Sequence, residues 1–338
     1  MAKRKLSHRQ SARIAKSQQA LANDAGDLST GLVIAHYGGE IDVVEQAQIG
    51  DPGASATRCK LRANLPPVVC GDRVSWREAN SSTEAAVVEA LLPRHSVISR
   101  PRPYSVAKPI AANIDVIVLV IAPEPAPIAN LLDRYLIAAA NANIPVTILI
   151  NKQDLLDEKK VSAARSDEVM QLAALYSELG YKVLQYTTVD AQCATTSLDA
   201  ALNGKTAILV GQSGVGKSSI INALCGNAIA AIGDISSANT KGRHTTTNAQ
   251  LYFIRGKQTG SSAVIDSPGI REFALWHLEE NDIIAGMPEF YEKTLQCRFR
   301  DCEHGVSDGC ALQAAIDNNE LHPSRVSSYR HILANRDR

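Results

Sequence analysis

Gly211-Gln212-Ser213-Gly214-Val215-Gly216-Lys217-Ser218 matches GxxxxGK[ST], directly after the apolar run Thr206 to Val210 and directly before a helix-like stretch, Ser219 to Leu224. That residue set suits one chemistry, the cradling of phosphate anions. Glycines let successive amide hydrogens converge on anionic oxygens, and the following helix N-terminus adds positive potential. In such a loop Lys217 reaches the β- and γ-phosphates, Ser218 supplies an oxygen to Mg²⁺, and Ser219 completes the binding set. The strand before and the helix after are the context the pattern needs.

Asn151-Lys152-Gln153-Asp154 directly follows a second apolar run, Pro145 to Ile150. A carboxylate there accepts from guanine N1–H and from the 2-amino group. Adenine offers neither donor, and bonds to a charged group are worth roughly 1.5–3 kcal/mol each, so discrimination is large. Asn151 is expected to hold the base edge and the loop, and Lys152 to lie over the ring. Alone, this four-residue pattern also marks ordinary strand–helix turns. A phosphate loop in the same chain favours the guanine reading.

Asp266-Ser-Pro-Gly269 follows a third apolar run, Ala263 to Ile265. Asp266 is expected to hold Mg²⁺ through water, and the Gly269 amide to sense the γ-phosphate. A Gln next in line would orient the attacking water, but this chain has Ile270, which lacks the amide to do so. Gly242-Arg-His-Thr-Thr-Thr lies between the phosphate loop and Asp266, where a first switch belongs. Thr246, with Thr245 as the alternative, is expected to bind Mg²⁺ and order the segment around GTP. His244 is the candidate for the missing water-orienting group; the plain alternative is a surface histidine.

Cys297, Cys302, His304 and Cys310 form C-x4-C-x-H-x5-C. Four soft or borderline ligands suit tetrahedral Zn²⁺, and a full protein set suits a structural site; free thiols are the alternative. The seven cysteines do not pair off evenly, which fits metal binding in a reducing cytosol better than disulfides. A tail from about residue 280 is too short to rely on a hydrophobic core, so a metal staple is expected there.

The elements positioning these groups follow from changes of texture. The 338 residues are 45% hydrophobic and 21% charged with zero net charge, enough for two or three soluble domains and no global pull toward nucleic acid. No apolar run is long enough to span a membrane, so none is expected. Residues 1–30 begin as a basic arm with Lys3, Arg4, Lys5, Arg9, Arg13 and Lys16 before the first acid, Asp24. It reads either as a solvated tail or as an arm for phosphate-rich RNA. Residues 31–100 read as short strands broken by turns, a small β-barrel. In Thr57 to Ala63, alternation puts Arg58, Lys60 and Arg62 on one face, and Cys59, Leu61 and Ala63 toward the core. That stripe is either a solvated face or an RNA-backbone grip. Arg100-Pro-Arg-Pro reads as a linker. Residues 101–276 then alternate strand and helix patterns, the signature of a parallel α/β sheet, and 277–338 form a helical tail with the Cys/His cluster.

The order NKxD, GxxxxGKS, GRHTTT, DxPG, with Ala111-Ala-Asn-Ile-Asp before it and the Cys/His cluster after it, resembles the ribosome small-subunit-dependent GTPase A family over roughly residues 30 to 325. The resemblance implies an oligonucleotide-binding barrel, a circularly permuted P-loop GTPase domain and a C-terminal zinc domain. It implies a GTP hydrolase acting in late maturation of the small (30S) ribosomal subunit and stimulated by it. It further implies a hydrophobic residue at 270, a catalytic switch histidine, 16S rRNA as partner and a cytoplasmic monomer using Mg²⁺ with GTP. The fifth guanine motif falls nearest Tyr186-Thr-Thr, where no residue is assigned. A nucleotide-gated RNA-binding module with incidental hydrolysis is the competing function; an ATP-using P-loop enzyme is disfavoured by Asn151 and Asp154.

Overall fold

A computed structural model of the chain describes residues 28–79, 84–102, 105–189, 191–226, 249–255, 261–266, 278–304 and 309–335. Residues 1–27 of the expected basic arm and the Gly242 to Thr247 segment lie outside them, and the arm's last residues instead begin a barrel strand at Ser29.

Alternating apolar residues build a barrel first, from β1 (Ser29–His36), β2 (Glu40–Glu45), β3 (Ala56–Leu61), β4 (Arg73–Arg77) and β5 (Ala86–Leu91). Its strands pair in the order β1-β2-β3-β5-β4 and close through a β1–β4 ladder, with β3 and β5 parallel. This is the closed five-strand arrangement of an oligonucleotide-binding-like barrel. Val33, Ile41, Val43, Cys59, Val74, Trp76 and Val88 fill it. Cys59 faces inward as its alternation predicts, but Leu61 is only half-buried and Ala63 is exposed, because β3 ends at Leu61.

The linker reading of Arg100-Pro-Arg is corrected. Those residues belong to β6 (Val97–Arg102), which pairs only with β7 (Ser105–Ala112) in a two-stranded ribbon. An edge strand tolerates proline, and beyond β6 the described residues pair with β7 only near its end, where Ala111 bridges Cys70.

The second half of the sheet consists of β8 (Val116–Ile121), β9 (Val146–Ile150), β10 (Lys182–Gln185), β11 (Thr206–Val210), β12 (Gln250–Phe253) and β13 (Ala263–Asp266). Their order is β10-β9-β8-β11-β13-β12, all parallel except β12. Helices α1 (Ala129–Asn141), α2 (Gln153–Asp157), α3 (Ala163–Glu178), α4 (Ala191–Leu202) and α5 (Lys217–Cys225) interleave with these strands. Leu132, Leu136, Val169 and Tyr176 of α1 and α3 pack on one face with Leu119 and Ile121. Leu198, Leu202, Ile220 and Leu224 of α4 and α5 pack on the other with Val118 and Val120. Barrel and sheet are continuous, since Ala35 of β1 stands opposite Gln250 of β12.

Helices α6 (Glu280–Ala285), α7 (Pro288–Thr294), α8 (Ala311–Asp317) and α9 (Pro323–Ala334) form the C-terminal unit. A capping box between Glu279 and Asp282 starts α6, and the His322 side chain caps α9. Contrary to the expectation of a tail without a core, Ile283, Ile284, Met287, Phe290, Leu312, Leu321, Tyr329 and Ile332 cluster together, and Ile137 of α1 completes the cluster. The small unit escapes the size limit by borrowing apolar surface from its neighbour.

An ion network holds this contact. Arg325, 1% exposed, pairs with the fully buried Asp133 of α1 and donates through Nε to Glu289 Oε1 at 2.5 Å. Tyr176 of α3 donates its hydroxyl to Asp133 Oδ1 at 2.6 Å. Removing one partner leaves a buried charge uncompensated, so Arg325→Ala should weaken docking by about 3–5 kcal/mol. Arg325→Met combined with Asp133→Leu should cost markedly less, and hydrogen exchange of the α1 and α9 amides measures both. Equal loss in the two variants would refute the network as the docking contact.

Candidate functional site

Parallel strands place their C-terminal ends along one edge of a sheet, and in open α/β folds that edge carries the ligand. Here Asn151 follows β9, Gly211 follows β11, Asp266 ends β13 and Thr187 lies just past β10. Segments far apart in the chain therefore meet along one edge.

The phosphate loop has the conformation its glycines predict. Gly211 (φ +138) and Gly216 (φ +94) lie in backbone regions that side chains avoid. A Cβ at Gly211 would stand 2.2 Å from the Val120 carbonyl of β8, and one at Gly216 only 2.3 Å from Asn151 Nδ2. Both positions therefore need glycine for space as well as for φ. Lys217 begins α5, its ammonium donating to the Gly211 and Gln212 carbonyls at 2.8 and 2.5 Å. Ser213, Gly214, Ser218 and Ser219 are exposed at the mouth of the loop, while Val215 is buried beneath it.

The guanine-motif residues reach this loop. Asn151, 1% exposed, donates from Nδ2 to the Val215 carbonyl at 2.8 Å, and its Oδ1 is buried without a hydrogen-bond partner among the described residues. Lys152 (φ +61) turns the chain into α2 and extends its ammonium to the Glu124 carbonyl at 2.7 Å. Its stem thus bridges to the loop after β8.

Asp154 has a partner the sequence did not identify. Thr187 donates its hydroxyl to Asp154 Oδ1 at 2.7 Å and accepts from the Val189 amide at 3.2 Å. The amide fixes the hydroxyl's direction, so Asp154 is held in one orientation. Thr187 lies in the Tyr186-Thr-Thr segment where no residue was assigned; position past β10 was the available signal.

Asp266 lies at the end of β13, the immediate neighbour of β11. His244, Thr245, Thr246, Gly269 and Ile270 are outside the described residues.

Away from the nucleotide edge, Cys297, Cys302, His304 and Cys310 converge, their ligand atoms all within 4.8 Å of one another. Cys297 Sγ is 3.7 Å from His304 Nδ1. Ligands about 2.3 Å from a shared tetrahedral centre stand about 3.8 Å apart, so this spacing fits a metal ion. Burial, with the nearby Cys302 and Cys297 sulfurs, pushes the Cys310 thiol up, which is the repulsion a bound cation relieves. Cys59 and Cys225 differ: burial, helped at Cys59 by the Asp42 carboxylate and opposed at Cys225 by Arg255, raises each to about 12, and both are packing residues in apolar cores.

The cation stripe on β3 is exposed but compensated. Arg58 donates to Asp42 at 2.5 Å and stacks 4.2 Å above the Tyr37 ring. Lys60 stands opposite Glu40, and Arg62 pairs with Glu89 at 2.7 Å. The stripe therefore carries little net charge. Among the described residues, no helix is long and apolar enough to cross a membrane.

Comparison with known proteins agrees with this geometry. A model of the RsgA GTPase family matches residues 91–276. The small ribosomal subunit biogenesis GTPase RsgA of Azotobacter vinelandii is 44% identical over 350 aligned positions, 99% of this chain and 98% of the relative. Its Pseudomonas aeruginosa namesake is 43% identical with the same coverage. Among solved structures, YjeQ from Thermotoga maritima matches with a TM-score of 0.65 at 26% identity, covering 90% of this chain and 97% of that one. YloQ, described as a circularly permuted GTPase, matches in fold with a TM-score of 0.66 at 24% identity, covering 91% and 95%.

Replacing Thr187 with Val removes the donor that orients Asp154. Affinity for a fluorescent GDP analogue should then fall about tenfold, roughly the worth of one bond to a charged group. Unchanged affinity would mean that Asp154 needs no such support.

Proposed function

Because this chain belongs to the RsgA GTPase family, we propose that it hydrolyses GTP to GDP and phosphate in maturation of the small ribosomal subunit, and that the subunit stimulates its turnover. The observation that carries this is the buried Asn151–Val215 bond, which ties the guanine motif to the phosphate loop. In this reading Asp154 accepts from guanine, Asn151 and Lys152 frame the base, and residues Gly211 to Ser219 with Lys217 hold the phosphates. Ser218 and Thr246 supply hydroxyls and Asp266 a carboxylate, oxygen donors that suit a hard cation. Mg²⁺ held there neutralises charge on the β- and γ-phosphate oxygens. The Gly269 amide senses the γ-phosphate.

Ile270 cannot orient water, so unassisted turnover is slow and His244 takes that role when the subunit is bound. Proton handling or water orientation by one side chain contributes about 10²- to 10⁴-fold. With purified small subunits, His244→Ala should therefore lose stimulated GTP turnover by at least about 100-fold while keeping GTP affinity. Unchanged stimulated turnover would favour the competing reading, a nucleotide-gated tether. Equal use of ATP, or no stimulation by the subunit, would sink the main one.

Zinc is the proposed ion at Cys297, Cys302, His304 and Cys310, since three sulfurs and one nitrogen leave no open position and make a structural site. Elemental analysis should find one zinc per chain, and Cys302→Ser should lose it and loosen α7 and α8. A folded C-terminal unit without metal would overturn the assignment.

The ribosomal RNA partner draws better support from the ribbon than from the compensated stripe of Arg58, Lys60 and Arg62. Between Glu89 and Asp115 the chain has no acid, and its ribbon strands carry Arg100, Arg102 and Lys108. Arg100 and Lys108 stand directly opposite each other across β6 and β7, a like-charge pair that costs energy until an anion screens it. We place the chain in the cytoplasm as a monomer, with domains 31–100, 101–276 and 277–338 behind the basic arm of residues 1–30.

A further inference from the structure

Gln250 occupies an unusual position for a polar residue. It begins β12 directly opposite Asp266, and on its other side it stands opposite Ala35 of the barrel strand β1. Directly opposed residues of antiparallel strands project to the same face with their Cβ atoms about 4.5–5.5 Å apart. Along β12 the pattern confirms the face: Leu251 and Phe253 are buried in the core shared with α1 and α3, while Gln250 and Tyr252 alternate to the other side. That other side is the one on which α5, the helix starting at Lys217 and Ser218, packs.

The Gln250 amide nitrogen is shut off from solvent and has no hydrogen-bond partner among the described residues. A buried donor left unpaired is costly, and such exceptions call for an explanation.

We propose that Gln250 is a positioning residue whose side-chain amide supports the metal-holding carboxylate of Asp266. The inference rests on the reading of Asp266 given under Proposed function. Carboxylates that hold a metal are themselves held by hydrogen bonds, and loss of that outer support typically costs 10- to 100-fold in metal affinity. A glutamine amide suits the task, because it donates to a carboxylate without adding a charge that would compete with the cation. Barrel strand β1 flanks Gln250 on its other side, opposite at Ala35.

The test uses full-length protein and release of a fluorescent GDP analogue, titrated with Mg²⁺ and repeated in excess chelator. Gln250→Met keeps the bulk and removes the donor. It should raise the Mg²⁺ concentration needed to slow release by roughly 10-fold, while leaving metal-free affinity within about 2-fold. An unchanged Mg²⁺ requirement overturns the proposal. So does a parallel loss of metal-free affinity, which would make Gln250 merely structural. Asp266→Asn run alongside separates the two claims: if it too leaves the Mg²⁺ requirement unchanged, the reading of Asp266 itself fails. If it shifts the requirement and Gln250→Met does not, only the role of Gln250 falls.

Discussion

The site hangs on a hydrogen bond between strands that are not neighbours. Asn151 follows β9 and Val215 belongs to the loop after β11, with β8 between them. A neutral amide–carbonyl bond contributes only about 1 kcal/mol net, so its stabilising effect is modest. Its geometric effect is larger. The bond crosses over the end of β8, where Gly211 already approaches the Val120 carbonyl. The Asn151 motif and the Gly211 loop, proposed to read the base and hold the phosphates, are thereby fixed at one separation, and Thr187 orients Asp154 against that frame. Because the strands are parallel, chain order is irrelevant to this geometry; what matters is that β9, β8 and β11 lie side by side with their ends aligned.

A second constraint is set by α1. Its N-terminal approach contains Glu124, whose carbonyl accepts from Lys152, and its middle carries Asp133 and Ile137, which receive the C-terminal unit. The loop leading into this helix thus accepts from the guanine motif's lysine, and the helix itself receives the helical unit along its length. The buried pairing of Arg325 with Asp133 and Glu289 makes this docking specific, since guanidinium keeps its proton and finds acceptors only in that seating. A displacement of α1 at the nucleotide edge would therefore be felt by the C-terminal unit without passing through the segment after Asp266.

What was legible in the sequence is what is local. The phosphate loop, the guanine motif and the Cys/His cluster are contiguous or nearly so, and their backbone needs are written in glycine, lysine and cysteine spacing. The strands Val116–Ile121, Val146–Ile150 and Thr206–Val210 announced themselves as apolar runs because both of their faces are buried. Strand β2, Glu40–Glu45, gives no comparable run because its outer face carries acids that pair with β3. The ribbon was missed because its prolines suggested a linker. Thr187, whose hydroxyl bonds a residue 33 positions away, and Arg325, which pairs across 192 positions, left no periodic trace. Such tertiary partners are decided by where elements meet, which patterning does not encode.

The permuted order also places the chain ends well. The chain enters the GTPase sheet at β8, held between β9 and β11, and leaves it from β13, held between β11 and β12. Both are interior strands laddered on two sides, so neither junction frays as an edge strand would. The sheet's own margin at β12 is covered by barrel strand β1, and the barrel closes on itself. Among the described strands of this sheet, that leaves β10 as the margin. It is four residues long with exposed Lys182 at its start, the short charged edge that discourages pairing with another chain. The barrel therefore has a structural task besides any partner it binds. By pairing with β12 at Ala35 opposite Gln250, its strand β1 joins barrel and sheet through a ladder rather than through a flexible tether.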